Sequence, residues 1–474
     1  MTANARDEPE RGHMARASER PTRYAWLVLA MLMMGNLLSF MDRFLMNVVS
    51  QPMKEELHLT DWQLGLLNGT AFALSSTLVG LPLARLAERF NRASIIAGCI
   101  IVWSGMTSLC GFASNLWQML AFRTGVGVGE AGSTPASHSL IADYFPPRRR
   151  ATALSLYTIG MPLGALAGSI LGGWITDQWG WRSAFLLLGG PGILAALFLR
   201  AIVREPARGR FDPPVSSPAP PPIGKALRLL ATTPTARHII LGQVGAIMVA
   251  IAASTFYAPF LVRKFAISYT EMGLLLSATY LAGGTLGNLG GGLLADWGGR
   301  RDRRWYLWVP AIGIALAFPL YFACYLQPTL MGTCMLLFVA SIPSLAYTAP
   351  GYSVLHNIVE ARMRATMVAL VQIIASLIGG GLGPLLGGAT IDLLAERFFP
   401  LATAGEFAQA CPGGIAPAHA AATLVLACHD ALLQATQWAL IGWAPLFLWP
   451  AFHFWRAART IRVDWPALPP IPTM

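Results

Sequence analysis

Arg123 and Glu130 stand seven positions apart in one apolar stretch, and the pair Asp42-Arg43 lies inside another. A charged side chain at mid-bilayer costs roughly 2.5–3.5 kcal/mol on insertion scales, so intramembrane Asp, Glu and Arg are functional candidates. Seven residues make two helical turns, which puts Arg123 and Glu130 on one face about 10 Å apart, with Thr134 and Ser137 continuing the stripe. The first apolar run has its midpoint near residue 37, so Asp42 and Arg43 sit roughly 7–9 Å outward of the midplane, a height that matches the other pair. Asp42 and Arg43 point about 100° apart and cannot share one partner, so the expected pairs are Asp42 with Arg123, and Arg43 with either Glu130 or an anionic substrate. A carboxylate beside a guanidinium stays ionised, and one that is buried without it takes up a proton. The chemistry of such a constellation is therefore exchange of a proton and an anion at one cation. The alternative is a fixed neutral network that ties two helices together. Asn36, seven residues before Arg43 and on its face, is the next candidate to line the site.

The elements that must hold these residues are membrane helices. The chain has 474 residues, 55% hydrophobic and 12% charged, with a mean hydropathy of +0.53, too apolar for a soluble domain of this length. A helix needs about 20 apolar residues to cross the hydrocarbon core. Such runs fall at 24–50, 61–84, 93–113, 115–142, 151–176 and 182–202, then at 237–262, 270–295, 304–326, 328–355, 365–395 and 430–457. The fold expected is all-α, with twelve transmembrane helices in two six-helix bundles.

A net charge of +11 raises nucleic acid as a partner, but the cations alternate with the loops. Arg6, Arg11, Arg16, Arg20 and Arg23 precede the first span; Arg85, Arg89 and Arg92 follow the second; Arg148, Arg149 and Arg150 follow the fourth. Arg300, Arg301, Arg303 and Arg304 follow the eighth, Arg362 and Arg364 the tenth, and Arg456, Arg459 and Arg462 the last, while the opposite loops hold Arg182 and Arg263-Lys264 as the main exceptions. The positive-inside rule then places both termini in the cytoplasm, in an inner or plasma membrane, with no nucleic-acid partner. The first run carries Asp42 and Arg43 and lacks a small-residue cleavage site, so it reads as a retained helix. Residues 1–23 form a tail, 24–203 and 237–458 the two bundles, 396–429 an outer loop, 204–236 a Pro- and Arg-rich linker read as mostly unstructured, and 459–474 a second tail. Cys411 and Cys428 share the outer loop, where a disulfide is permitted and not demanded. The other four cysteines read as small hydrophobes.

The two bundles repeat one grammar. Ala84-Arg-Leu-Ala-Glu88-Arg89-Phe-Asn-Arg92 is echoed at Gly292-Leu-Leu-Ala-Asp296-Trp-Gly-Gly299-Arg300-Arg301, and Arg150-Ala-Thr-Ala-Leu-Ser, ending in Gly172-Gly173, recurs as Arg364-Ala-Thr-Met-Val-Ala, ending in Gly387-Gly388. Duplicated hydrophobic halves around a central site imply alternating access. Glycines repeat every four residues at 160–172, 379–387 and 283–291, spacing that lets helices approach, whether to slide or to pack tightly. Gly127-Val-Gly129-Glu-Ala-Gly132 matches a dinucleotide fingerprint, but no strand precedes it and it lies in an apolar span. No His/Cys/carboxylate group has metal spacing and no nucleophile–base pair is visible, so neither a metal, a cofactor nor an enzyme is expected.

These motifs resemble the major facilitator superfamily over about residues 24–457. The loop after the second span departs from the family's Gly-x-x-x-Asp-Arg-x-Gly-Arg-Arg at Ala84, Glu88, Asn91 and Ala93, whereas the second copy keeps Gly292, Asp296, Gly299, Arg300 and Arg301; Arg123-x-x-x-Gly127-x-Gly129 matches the fourth-helix motif. Within the superfamily, Met41-Asp42-Arg43, Gly127-Val-Gly-Glu130-Ala and Ser139-Leu-Ile-Ala-Asp143-Tyr-Phe-Pro-Pro-x-x-Arg look like the Spinster-type transporters. Hexuronate and organic-anion symporters share an Asp-Arg in the first helix, and Glu130 favours Spinster. The resemblance implies helices one and four side by side, protons coupled to a lysolipid-like or sphingoid phosphate substrate, and interdomain latches at Glu88, Arg89 and Arg92 and at Asp296, Arg300 and Arg301. The expected protein is a proton-coupled transporter, acting as a monomer, of an anionic or zwitterionic amphiphile drawn from membrane lipids. A symporter of a sugar acid or other small organic anion is the first alternative, and an integral-membrane lipid enzyme the second.

Overall fold

The computed structural model describes residues 22–208, 210–211, 223–359, 363–400 and 407–465. Its elements are helices, and twelve of the helical runs are membrane spans: α1 (Arg23–Glu56), α2 (61–89), α3 (Arg92–Cys110), α4 (116–144), α5 (147–179), α6 (181–202), α7 (Pro234–Phe265), α8 (269–299), α9 (Trp305–Leu326), α10 (Leu330–Ile358), α11 (364–398) and α12 (Ala422–Asp464). Nine helical runs among the described residues are long and apolar enough to cross a bilayer, one of which holds both α5 and α6. The remaining two, α4 and α8, are interrupted by a turn at Ala131-Gly132 and by a π turn over Gly283–Gly287.

Local chemistry sets the ends. The Thr22 hydroxyl accepts from the Ala25 N–H at 3.2 Å and starts α1; Asn91 and Asn115 cap α3 and α4 through the amides of Ser94 and Gln118, as short polar side chains do for the unpaired first-turn donors. Pro147 and Pro234 open α5 and α7, where a missing N–H costs nothing. Gly180, with φ +80°, divides α5 from α6, a left-handed turn that only glycine makes without strain. The linker departs from the expectation of little structure: Ile223–Thr232 is a helix, and its Ala226 and Leu230 are buried in the C-terminal core. The Pro-rich stretch before it, like residues 1–21, lies outside the described residues.

The glycine rows pack helices inside each half. Gly160, Gly164 and Gly168 of α5 lie against the backbone of α1; Gly379 and Gly383 of α11 lie against α7; Gly283, Gly287 and Gly291 of α8 lie against α10. Gly127, Gly129 and Gly132 likewise seat α4 on α2 and α3. Small residues let backbones meet where hydrocarbon surroundings give no hydrophobic drive. Two apolar cores result in the N-terminal half and one large core in the C-terminal half.

We call the side that holds the start of α1 and the end of α12 the terminal face, and the other side the far face. Hydrogen bonds between the halves, among the described residues, lie along the far ends of α1, α2, α5, α7, α8 and α11. The innermost is Thr70 Oγ1 donating to the Gly381 carbonyl at 2.7 Å. The halves are closed on the far face.

Candidate functional site

Four charges meet inside the N-terminal half. Arg43 on α1 donates through Nε to Glu130 Oε2 on α4 at 2.7 Å, with its Nη2 on the same oxygen. Arg123, two turns before Glu130, donates to Asp42 Oδ2 at 3.1 Å, and Thr107 on α3 donates to Asp42 Oδ1 at 2.8 Å. Consecutive residues of α1 thus serve two separate partners, as their angular offset requires.

The two pairs differ in access. The side chains of Arg123 and Asp42 are 2% and 5% exposed, a sealed pair. Glu130 is sealed as well, at 2%, but the Arg43 side chain is 40% exposed. Its guanidinium lies 4.9 Å and 4.6 Å from the ring centres of Phe40 and Phe72, cation–π contacts that hold it in place without using its donors. Glu130 Oε1 and Arg123 Nε are buried without a hydrogen-bond partner. Such orphaned atoms carry a desolvation cost and mark a network with unused capacity. The arrangement leaves one cation accessible, backed by a buried carboxylate that it neutralises.

Of the remaining expected residues, Thr134 is exposed beyond the α4 turn and Ser137 is buried. Asn36 is buried, and its amide donates to the Tyr157 carbonyl at 3.1 Å, which ties α1 to α5. Among the described residues the bonds of the terminal-face motifs stay within their own halves or reach the start of the linker. Arg92, 2% exposed, reaches Asp143 and Glu205 at 2.6 Å each and Ser139 at 2.7 Å; Asp296 accepts from the Tyr306 hydroxyl at 2.7 Å and Arg301 stacks over Trp297. Arg89 is exposed and Arg300 lies at the end of α8, and the side chains of Glu88 and Arg364 fall outside the described residues. Among the described residues no group of three or more His, Cys, Asp or Glu could hold a metal.

Sequence reasoning passed over a second charged cluster, on the far face. Lys54 on α1 is paired with Asp61 on α2, and Arg263 on α7 reaches Asp61 at 2.8 Å from the other half, the three side chains being 4% exposed or less. Arg263 also binds Gln51 at 3.1 Å and the Thr436 hydroxyl of α12. Lys264 donates to the carbonyls of Tyr325 and Gln327 at 3.2 and 2.6 Å, at the end of α9. The Arg263-Lys264 exception to the charge pattern thus has a local cause: one cation is neutralised across the interface, the other caps a helix end. Cys411 and Cys428 are disulfide-bonded, and the loop between them lies on the cluster, where a Cβ at Gly414 would stand 3.3 Å from Lys54 Nζ.

Comparison with known proteins agrees with this geometry. The sequence profile described as Major Facilitator Superfamily matches residues 32–384. An MFS-type efflux pump of Mycolicibacterium smegmatis is 31% identical, over 80% of this chain and 87% of its own length. Human protein spinster homolog 1 is 32% identical over 50% of this chain, and the match spans 46% of that protein. A crystal structure of a bacterial homolog of the human lysosomal transporter Spinster, inward-facing and unoccupied, superposes with a TM-score of 0.85 at 32% identity, covering 94% of this chain and all of that one. Its inward-facing, occupied counterpart gives 0.82 at 31%. The matched profile, the relatives and the fit to the solved Spinster homolog place this chain, with its twelve helices, in the major facilitator superfamily, as a membrane transporter of the Spinster type.

Proposed function

We propose that this transporter couples protons to an anionic or zwitterionic amphiphile of lysolipid type, with Arg43 as the headgroup-binding cation and Glu130 as the proton carrier. The observation that carries the reading is the exposed Arg43 bound to a buried carboxylate whose other oxygen has no partner. A substrate phosphate that captures Arg43 strips Glu130 of its ion-pair partner in a dry site, and the carboxylate then takes up a proton. Asp42 is the second coupling carboxylate: its protonation frees Arg123 to turn toward Glu130. Thr134 and Ser137 extend the polar stripe toward the substrate. In the C-terminal half the described Arg and Lys residues lie near helix ends, and Arg263 is spent in the far-face cluster, which supports a substrate with a single anionic head. The resemblance to Spinster-type transporters, which implies a lysolipid-like substrate, supports the lipid class.

The distribution of Arg supports the terminal face as cytoplasmic, in a plasma membrane, with the motifs at Glu88–Arg92 and Asp296–Arg301 closing that face when the far face opens. A monomer suffices, since each half is completed by the other.

The test is reconstitution in liposomes with an interior pH dye, challenged with lysophospholipids and with sugar acids. Lysolipid-driven proton flux in the wild type that disappears in Glu130→Gln, with the variant still folded, supports the assignment. Flux with sugar acids alone reassigns the chain to small-anion symport. Undiminished coupled flux in Glu130→Gln removes that residue from the proton path.

A further inference from the structure

The far face carries the duplication in a form that the charge pattern hides. Asp177, at the end of α5, accepts from the backbone N–H groups of Tyr269 and Thr270, the first turn of α8 in the other half, at 3.0 and 2.7 Å, and from the Thr270 hydroxyl. Asp392, at the end of α11, accepts from the N–H groups of Asp61 and Trp62, the first turn of α2 in the other half, at 2.9 and 2.8 Å. Both carboxylates stand at the same place in the repeat, Gly172-Gly173-Trp-Ile-Thr-Asp177 and Gly387-Gly388-Ala-Thr-Ile-Asp392. The glycines repeat the match: a Cβ at Gly173 would come within 3.1 Å of Thr270 Cα, and one at Gly388 within 2.7 Å of Trp62 Cα. Gly273 and Gly65, each four residues into the capped helix, meet the backbones of Ser169 and Pro384 in the same symmetric way.

We propose that Asp177 and Asp392 are the two arms of a twofold latch that holds the far face shut, each capping the first turn of a helix in the opposite half. Four first-turn amides that a helix leaves unpaired are satisfied only while the halves are together. Charge-assisted bonds to such amides exceed ordinary neutral ones in strength. Opening of the far face breaks both arms at once and hydrates both carboxylates and all four donors, so the latch is a switch with two ends.

The arms are unequal. Both backbone bonds of Asp177 are exposed to solvent, whereas Asp392 has one exposed and one half-buried bond and sits over the buried Lys54–Asp61–Arg263 cluster beneath the disulfide-closed loop. Each half contributes one cation and one carboxylate to this half-buried arm: Lys54 and Asp61 from the first, Arg263 and Asp392 from the second. Separation therefore leaves no net charge stranded on either side. Water reaches both backbone bonds of Asp177 but only one of the two of Asp392, so the half-buried arm contributes more to the free energy of opening and the exposed arm fixes register.

The test is the distance between spin labels on Ser114→Cys and Pro328→Cys, two far-face loop positions in opposite halves, in nanodiscs without substrate, with Cys334 replaced by serine. Removal of one charged pair of amide caps shifts a two-state ratio by about tenfold where the cap is half-buried and by about threefold where it is exposed. Asp392→Asn is expected to raise the long-distance, far-face-open population by about the larger factor, Asp177→Asn by the smaller, and the double variant the most. Thr270→Val, which deletes one donor at the exposed arm and no charge, keeps the test open if Asp392→Asn does not fold. Equal distance distributions in wild type, Asp177→Asn and Thr270→Val would overturn the latch, and a larger shift from Asp177→Asn than from a folded Asp392→Asn would overturn its asymmetry. No substrate is needed, so failure of the lysolipid assignment leaves this outcome readable.

Discussion

Arg123 and Asp42 are a sealed ion pair, and Arg43 and Glu130 an open one; that difference predicts opposite mutational phenotypes. Asp42→Asn leaves a buried guanidinium without a counter-charge, a change that costs about 3–5 kcal/mol. It should lower the unfolding temperature and the yield of monodisperse protein, and Asp42→Asn/Arg123→Met, which removes both charges, should recover most of that loss. Arg43→Gln removes a side chain that is 40% exposed and leaves Glu130 buried, where the carboxyl is neutralised by taking up a proton, so the variant should fold and lose lysolipid-driven proton flux in the liposome assay. Recovered flux in Arg43→Gln would remove Arg43 from the substrate path. The partners of these four residues were legible because two-turn spacing and helix height are read from sequence. For Asn36 spacing gives a face and not the neighbour: the Tyr157 carbonyl takes its amide, a contact that no local pattern shows.

At the scale of elements, close packing through glycine predicts sharp position dependence. A Cβ at Gly164 would lie 2.9 Å from Phe40 Cβ and 3.0 Å from Met41 N, whereas Gly190 on α6 has nothing within 4 Å. Gly164→Ala should destabilise by about 1–3 kcal/mol through forced backbone shift, and Gly190→Ala should stay within about 0.5 kcal/mol of wild type; thermal unfolding followed by tryptophan fluorescence checks both. Because Phe40 and Met41 immediately precede Asp42, Gly164→Ala should disturb the site as well. The spans themselves were legible from apolar run length, including the turn from α5 to α6. The helix at Ile223–Thr232 was not, since a ten-residue amphipathic segment behind prolines gains its order from Ala226 and Leu230 docking on the C-terminal core. The far-face cluster was missed for a related reason: Lys54, Asp61 and Arg263 each stand at a span end, where a charge reads as loop solvation, and only the closure of two halves buries them.

For the whole molecule, topology is the first thing to measure. With the terminal face cytoplasmic, Ser114→Cys should react with a membrane-impermeant maleimide in intact cells, and Arg459→Cys only after permeabilisation; the reverse pattern would invert the protein in the membrane. The duplication of the halves was visible in the loop motifs, but its mechanical content, two carboxylates exchanged between halves, was not, because no local pattern distinguishes an aspartate that caps a distant helix from one that faces water. One element stands outside the twofold design. A single residue, Gly180, joins α5 to α6, whereas the equivalent joint between α11 and α12 carries a loop that is fastened by a disulfide and lies on α1 and Lys54. That loop belongs to one half and touches the other, so its surface together with the end of α1 is a composite epitope that exists only in one state. An antibody fragment selected against this seam would report the closed far face and, bound there, would arrest the cycle.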